Sequence, residues 1–296
     1  MKLFHASCSS LNTLIFVFLS ILISVVFSSA SMATQAFKIP RSVVVDIKDS
    51  TSEAVYPLFI KLPKNYQHSA DKTYPVIYLT DAWYSFQIVS GATRYPMNSG
   101  AIEQAIIVGI SYAKGSKGDS SRVLDYTPTI NSAWKKKTGG AAKYMAFLER
   151  DVISYIEKNY RAKPNDRAFV GNSLGGLLGT YILLTKPELF NHYILGSPSY
   201  WFDEHMIFKL ETAFQRSKKV IEANVFIAIG ERETIGLDSN YDMVGDAEKF
   251  YQQVLAWQQP KLNAKLLIIK EANHESAFPT TAIQGLQWVY KKAQSK

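Results

Sequence analysis

Short apolar runs alternate with longer amphipathic runs through most of this 296-residue chain, and this alternation constrains the fold more than any other feature. Short, nearly continuous apolar runs predict strands that are buried on both faces, and the runs between them have the spacing of amphipathic helices. The pattern therefore predicts an α/β fold with a mainly parallel central sheet and helices on both faces. Predicted strands cover residues 43–47, 55–62, 75–80, 105–111, 167–171, 192–196, 224–229 and 264–270, and predicted helices cover residues 141–159, 174–184, 204–217, 245–257 and 280–293.

The domain organisation follows from the same pattern. The first two predicted strands have no helix between them, which predicts an antiparallel start to the sheet. Residues 112–140, rich in Gly, Ser, Lys and Thr, form the one long irregular stretch, and a loop of that length is usually functional or mobile. The chain has no internal repeat and is 47% hydrophobic, which is enough for a sizeable core. We therefore expect a single domain.

The first 33 residues have the layout of a secretory signal peptide. An uncharged apolar run, residues 14–27, follows Lys2 and precedes small residues, so cleavage is expected after Ala30 or Ala33. An uncleaved anchor helix is the alternative, but the run is shorter than the roughly 20 residues that span a bilayer. We predict export to the periplasm or the medium, with no stable membrane insertion after cleavage and a mature domain over residues 34–296.

Charge and cysteine content exclude several classes of function. The single cysteine, Cys8, lies in the predicted signal peptide, so the mature chain has no disulfide and no cysteine-based metal site. The net charge of +8 is dispersed, with residues 135–137 the only run of three lysines. No nucleic-acid recognition motif accompanies this positive charge, so we expect no nucleic-acid partner. The charge is equally consistent with a preference for anionic small molecules. No metal or cofactor is expected.

The strongest chemical signal is the sequence Gly171-Asn172-Ser173-Leu174-Gly175, between a predicted strand and a predicted helix. This is the context of a nucleophile elbow, in which glycines let the backbone pass close to an exposed serine. The helix N-terminus also favours developing negative charge. The alternative is a serine that caps a helix and is followed by a packing glycine. We predict that Ser173 is a catalytic nucleophile.

A serine nucleophile requires a base, and the base requires an orienting acid. Three histidines follow Ser173 in the chain. His192 falls at a predicted strand and His205 begins a predicted helix, whereas His274 lies in a polar loop after the last strand. We therefore predict His274 as the base.

The acid should follow the preceding predicted strand, residues 224–229, because these folds place serine, acid and histidine in that order. Glu233 lies close to the strand end and is the predicted acid, with Glu231 and Asp238 as alternatives. The oxyanion requires two N–H donors. We predict the amides of Leu174 and Trp83, with Ala82 as an alternative to Trp83.

These residues lie in stretches that resemble a known family. The segments "RVLDYTPT", "VGNSLGGLLGTYILLTKPELFNHYILGSPSYWFD" and "NHESAF" are similar to the putative-esterase family of α/β-hydrolases, which includes esterase D and the siderophore esterases that cleave enterobactin-type trilactones. The resemblance implies an α/β-hydrolase fold and an esterase whose triad maps onto Ser173, His274 and Glu233. Two positions depart from the pattern of many relatives, with Ala82 in place of glycine and Asn172 in place of histidine.

The resemblance also narrows the substrate. An exported member with "RVLDYTPT" is similar to siderophore esterases, so the implied substrate is a small-molecule ester or lactone of a catecholate siderophore, including an iron siderophore. A general carboxylesterase and a non-catalytic binding relative are the alternatives, although the latter class usually lacks the serine or the histidine. We also expect Trp83 to lie at the mouth of the site. The substrate should be bound there by an arginine and three further aromatic side chains, the structural alternative being that the arginine pairs with Asp125. These residues are Arg122, Tyr126, Tyr200 and Trp201.

Overall fold

The computed structural model describes residues 35–68, 70–117, 119–217 and 220–292. From Ile39 onward these residues belong to one compact unit. Residues 35–38, before that unit, are irregular. The predicted signal peptide lies outside the described residues. Among the described residues, no helix is long and apolar enough to cross a membrane.

An eight-stranded sheet forms the centre of the unit. Its strands are β1 (Ser42–Lys48), β2 (Val55–Lys61), β3 (Tyr74–Leu79), β4 (Ile106–Ile110), β5 (Ala162–Asn172), β6 (His192–Gly196), β7 (Glu222–Gly230) and β8 (Lys261–Ile269). They lie in the order β1-β2-β4-β3-β5-β6-β7-β8. The pairs β1–β2 and β2–β4 are antiparallel, and the other five pairs are parallel. The predicted antiparallel start and mainly parallel sheet are confirmed.

Helices cover both faces of the sheet, as predicted. Helices α1 (Ala82–Ala92) and α9 (Ala277–Tyr290) pack on one face, where Phe86 and Phe278 belong to the same buried cluster. The opposite face has the larger cluster, to which α4 to α8 contribute. These helices are α4 (Ala141–Phe147), α5 (Ser154–Asn159), α6 (Leu174–Thr185), α7 (Phe202–Ser217) and α8 (Met243–Ala256), and two short helices, α2 (Arg94–Ser99) and α3 (Ser120–Tyr126), lie earlier in the chain.

Three helices, α1 to α3, were not predicted from the sequence. Helix α1 contains aromatic residues, serine and glycine, which have weak helix propensity. Its amino-acid composition therefore does not predict a helix. Its buried residues Ala82, Phe86 and Val89 nevertheless have helical spacing and contact the sheet cluster. Packing, rather than propensity, therefore stabilises this helix. Helix α3 lies within the stretch predicted to be one long loop.

Two predicted helices have irregular segments. The helix predicted over residues 141–159 contains a π-helical turn, Leu148–Ile153, between α4 and α5. Helix α7 begins with left-handed residues Asp203, Glu204 and His205, whose φ angles are 48°, 51° and 58°. Left-handed backbone is unfavourable for residues with a Cβ, so this first turn of α7 is strained.

Candidate active site

Ser173 lies in the turn between β5 and α6. Its φ of 61° and ψ of −121° are a conformation that non-glycine residues rarely adopt. Close packing behind the turn explains the two flanking glycines. A Cβ on Gly171 would lie 2.3 Å from the carbonyl oxygen of Gly175, and a Cβ on Gly175 would lie 2.5 Å from Thr80 Oγ1. The strand, strained turn and helix expected around a nucleophilic serine are therefore present.

Glu233 and His274 are in contact, in the loops that follow β7 and β8. Glu233 Oε2 lies 2.6 Å from His274 Nδ1, and Glu233 is fully buried whereas the His274 side chain is 34% exposed. Glu233 Oε1 accepts hydrogen bonds from the Ser197 hydroxyl at 2.6 Å and from the Gly230 amide at 2.8 Å. The carboxylate is therefore fixed on both oxygens. Pairing through Nδ1 leaves Nε2, the nitrogen that would act on a hydroxyl, on the opposite side of the ring.

The other residues considered for acid and base have different partners. Each of them is engaged in a hydrogen bond or an ion pair that is separate from the Glu233–His274 pair. The partners are the Glu271 amide for Glu231, Arg232 for Asp238, Asp166 for His192 and Asp246 for His205.

Two backbone amides next to the elbow are available to bind an anion. Leu174 is the first residue of α6 and Trp83 lies in the first turn of α1, where amides have no acceptor within their own helix. Among the described residues, neither amide has a hydrogen-bond acceptor. The turn after β3 lies close to the elbow, since a Cβ on Gly175 would lie 3.5 Å from Asp81 Oδ2. The amides predicted for an oxyanion hole therefore belong to two adjoining turns.

Arg122 connects these two turns. Its Nε donates to Asp81 Oδ1 at 2.7 Å and its Nη2 donates to the Asn172 carbonyl at 3.2 Å. Burial disfavours the charged guanidinium, but the Asp81 carboxylate outweighs this and raises the pKa of Arg122. The alternative pairing of Arg122 with Asp125 is wrong, because Asp125 accepts a hydrogen bond from the Tyr56 hydroxyl at 3.0 Å instead. The guanidinium is thus used inside the protein, and its side chain is only 17% exposed.

The expectation that Tyr126 and Tyr200 border the mouth is also wrong, because both side chains are buried in the core. The Tyr126 hydroxyl accepts a hydrogen bond from the Asp81 amide at 3.2 Å, and the Tyr200 hydroxyl lies 2.9 Å from Thr180 Oγ1. Trp201 is partly exposed and stacks on Tyr241, with ring centroids 4.1 Å apart.

The exposed aromatic surface beside the site comes from other positions. Trp83 is 62% exposed and its neighbour Tyr84 is 42% exposed. Both follow the carboxyl end of β3, where α/β folds bind ligands. The sequence predicted Trp83 both for its amide and as an aromatic ring at the mouth, whereas Tyr84 was not considered.

Two further serines, Ser197 and Ser199, belong to the site and were missed. Ser197 donates to Glu233, and Ser199 Oγ lies 3.2 Å from Ser173 Oγ. They follow β6, which pairs with β5 so that Asn172 is opposite Gly196. The carboxyl ends of neighbouring parallel strands lie at one edge of the sheet, so the position of these serines after the strand next to the elbow was the available signal.

Metal binding is not evident in the parts of the chain that the structure describes. No group of three or more His, Cys, Asp or Glu side chains there could hold a metal ion. The groups that could carry out chemistry at this edge of the sheet are Ser173, Glu233, His274 and the nearby serines.

The fold and these side chains can be compared with known proteins. Residues 51–275 match the family described as Putative esterase, and the match covers most of the chain. The chain belongs to this esterase family. The esterase is a carboxylic ester hydrolase with the α/β-hydrolase fold, as predicted.

Two curated relatives have specific names. The esterase is 30% identical over 270 residues to Ferri-bacillibactin esterase BesA of Bacillus subtilis, and this match covers 86% of this chain and 91% of the relative. It is 34% identical over 150 residues to Siderophore triacetylfusarinine C esterase of Aspergillus fumigatus, and this match covers 49% of this chain and 51% of the relative.

Solved structures have the same fold. The esterase superimposes on the BES protein from Bacillus cereus with a TM-score of 0.77 and 27% identity. The superposition covers 88% of this chain and 100% of the other chain. Siderophore hydrolase EstA from Aspergillus nidulans has a TM-score of 0.74 and 20% identity, over 88% of this chain and 98% of the other. At that identity the second likeness concerns the fold alone.

Proposed function

We propose that this esterase hydrolyses an ester or lactone bond of a siderophore, with Ser173 as nucleophile, His274 as base and Glu233 as the orienting acid. The observation that carries the proposal is the 2.6 Å contact between Glu233 and His274 at the same edge of the sheet as the strained Ser173 turn. A buried carboxylate that holds a partly exposed imidazole through Nδ1 is the arrangement a serine nucleophile requires.

In the first half of the reaction, His274 Nε2 takes the proton of the Ser173 hydroxyl as its Oγ attacks the ester carbonyl carbon. The carbonyl oxygen becomes an oxyanion, which the amides of Leu174 and Trp83 stabilise by hydrogen bonds. The carbon–oxygen bond to the leaving alcohol then breaks, and the imidazolium returns the proton to that alcohol. Glu233 keeps its charge throughout and stabilises the imidazolium.

In the second half, water takes the place of the alcohol. His274 removes a proton from the water as it attacks the acyl carbon, the same two amides bind the second oxyanion, and Ser173 Oγ leaves with a proton from the imidazolium. The products are a carboxylic acid and the restored serine. The chemistry needs no resident metal, and any iron would arrive with the substrate.

The substrate class is supported by the relatives, which include a ferri-bacillibactin esterase and a siderophore triacetylfusarinine C esterase. The aromatic and cationic mouth expected from the sequence is only partly present, because Tyr126 and Tyr200 are buried and Arg122 is paired with Asp81. Exposed Trp83 and Tyr84 remain suitable for stacking against flat rings. The second candidate is a general carboxylesterase, which the same catalytic geometry would serve.

The test is a hydrolysis screen of purified residues 34–296. Substrates would be a catecholate trilactone with and without bound Fe³⁺, and p-nitrophenyl esters of increasing chain length. We expect a higher kcat/KM for the trilactone, and a loss of activity by a factor of at least 1,000 in Ser173→Ala. Turnover of p-nitrophenyl esters alone would support the general carboxylesterase. Unchanged activity of Ser173→Ala would overturn the mechanism.

We also propose that residues 1–33 are an export signal, which would place the esterase in the periplasm or outside the cell. The apolar run over residues 14–27 supports this. Mass spectrometry of the protein recovered from the medium or the periplasm should find a new N-terminus at residue 31 or 34. Recovery of the uncleaved chain in the membrane fraction would instead identify an anchor.

A further inference from the structure

The buried hydroxyl of Ser199 faces the nucleophile. Ser199 is 1% exposed, and its Oγ lies 3.2 Å from Ser173 Oγ. Among the described residues, Ser173 Oγ is the hydrogen-bond partner that the structure gives this hydroxyl. A buried hydroxyl usually bonds a nearby carbonyl, so a hydroxyl directed at a nucleophilic oxygen calls for an explanation.

The backbone fixes the two serines relative to each other. The Ser173 amide donates to the Gly196 carbonyl at 2.9 Å, and the Ser199 amide donates to the Ser173 carbonyl at 3.2 Å. Both peptide groups of the elbow residue are therefore held by the end of β6 and the turn that follows it. Because the strained elbow and this turn are hydrogen-bonded on two sides, the backbone of Ser199 is fixed relative to the backbone of Ser173.

A hydrogen bond from Ser199 is compatible with the role proposed for His274. A serine oxygen has one proton to donate and two lone pairs that accept. Ser173 can give its proton to the imidazole while it accepts a hydrogen bond from Ser199. A donor gains strength as its acceptor becomes charged, so this bond strengthens as the Ser173 oxygen develops negative charge.

We propose that Ser199 is a further catalytic residue, which donates a hydrogen bond to Ser173 Oγ while that oxygen loses its proton to His274 and forms the bond to the acyl carbon. Ser199 keeps its own proton in this step. The same bond stabilises the Ser173 oxygen when it leaves the acyl-enzyme. This inference rests on the proposed function of Ser173 as nucleophile.

The test compares Ser199→Ala with Ser90→Ala, a matched control that removes another buried serine hydroxyl. Ser90 is 3% exposed on α1 and, among the described residues, its hydroxyl has no partner. Ser199→Ala should lower kcat for p-nitrophenyl acetate and p-nitrophenyl butyrate by the same factor, about tenfold, with KM changed less than twofold. Inactivation by an organophosphonate should slow by a similar factor, because it uses the same oxygen. Ser90→Ala should leave all three rates unchanged.

The outcomes separate this inference from the function on which it rests. Loss of activity in Ser173→Ala with unchanged rates in Ser199→Ala would overturn the role of Ser199 alone. An effect of Ser199→Ala on KM only, or a different factor for each ester, would make Ser199 a substrate-positioning residue and would also overturn it. If Ser199→Ala does not fold, Ser199→Cys retains a weak donor of similar size and should give an intermediate loss. Full activity of a folded Ser199→Cys together with normal phosphonate labelling would reject the proposal.

Discussion

At the scale of single residues, the orienting acid of the proposed triad, Glu233, accepts a hydrogen bond from a side chain that can be removed by one substitution. Ser197 is fully buried, has a φ of 38°, and donates to Glu233 Oε1. Ser197→Ala should lower kcat about tenfold, because it removes a hydrogen bond to a charged group, with little change in KM. Steady-state kinetics with a p-nitrophenyl ester would measure both.

A second substitution at the same position separates the hydroxyl from the backbone. Glycine tolerates positive φ, so Ser197→Gly should be more stable to urea than Ser197→Ala by up to about 1 kcal/mol. Both variants lack the hydroxyl and should have equal activity. If Ser197→Gly had the activity of the wild type, backbone strain rather than the hydrogen bond to Glu233 would explain the effect of alanine.

Arg122 gives a different prediction. Because its guanidinium joins Asp81 to the Asn172 carbonyl, Arg122→Ala should loosen the turn that bears the Trp83 amide. We expect kcat to fall at least tenfold, and by the same factor for neutral and anionic esters. This loss should not depend on the salt concentration. Arg150→Ala, which removes a surface arginine paired with Asp49, is the control and should keep full activity. A selective rise in KM for anionic esters would instead show that Arg122 binds substrate.

Sequence reasoning was most informative where chemistry follows the end of a strand. His274 and Glu233 were selected by their positions after two neighbouring strands, and the structure brings them into contact. It failed for Tyr126 and Tyr200, because periodicity does not say toward which side a short turn or helix directs its rings. Their buried hydroxyls are hydrogen-bonded to the Asp81 amide and to Thr180, which are distant in the chain.

At the scale of elements, helix α7 has an unfavourable first turn. Glu204 is exposed and left-handed, with a φ of 51°. Glu204→Gly should therefore stabilise the protein by up to about 1 kcal/mol, because glycine adopts positive φ without a steric penalty. Lys209→Gly, an exposed position farther along the same helix, should destabilise it by about 1 kcal/mol. Urea unfolding of both variants is the measurement, and effects of the same sign would contradict the assignment.

The predicted elements show the same division between local and tertiary causes. The strands were predictable because burial on both faces leaves a nearly continuous apolar run, as in β3 and β4. Helix α1 was not, because its sequence favours no helix until Phe86 and Val89 pack against the sheet. The left-handed start of α7 has no signal in the sequence, since Asp203 is held by Thr129 and Asn131 from a distant loop.

At the scale of the whole molecule, a buried carboxylate makes stability depend on pH. Burial raises the pKa of Asp125 from 3.8 to about 7, although the hydrogen bond from Tyr56 acts in the opposite direction. Native Asp125 therefore retains a proton that the unfolded chain releases between about pH 4 and pH 7. The free energy of unfolding contributed by this residue falls as pH rises through that window.

Asp125→Asn should remove this dependence while preserving an acceptor for Tyr56. A folded-state pKa about three units above the unfolded value corresponds to roughly 4 kcal/mol. We expect the two proteins to be similar at pH 4, and the variant to be more stable at pH 8 by up to that amount. Urea unfolding across this range tests it. A variant that is less stable at pH 8 would show that the ionised carboxylate is favourable in the native protein.

The position of β8 at the edge of the sheet has a consequence for how the enzyme fails. Every residue of β8 is at least partly exposed, and the strand pairs with β7 alone in the sheet order, yet its loop carries His274. Edge elements with few buried contacts open more readily than central ones. In rising urea, esterase activity should disappear before tryptophan fluorescence and circular dichroism report unfolding, and hydrogen exchange should be faster in β8 than in β5. Coincident transitions would exclude this. If activity is lost first, local opening of β8 at the sheet edge inactivates the esterase reversibly while the strand and helix that carry Ser173 stay folded.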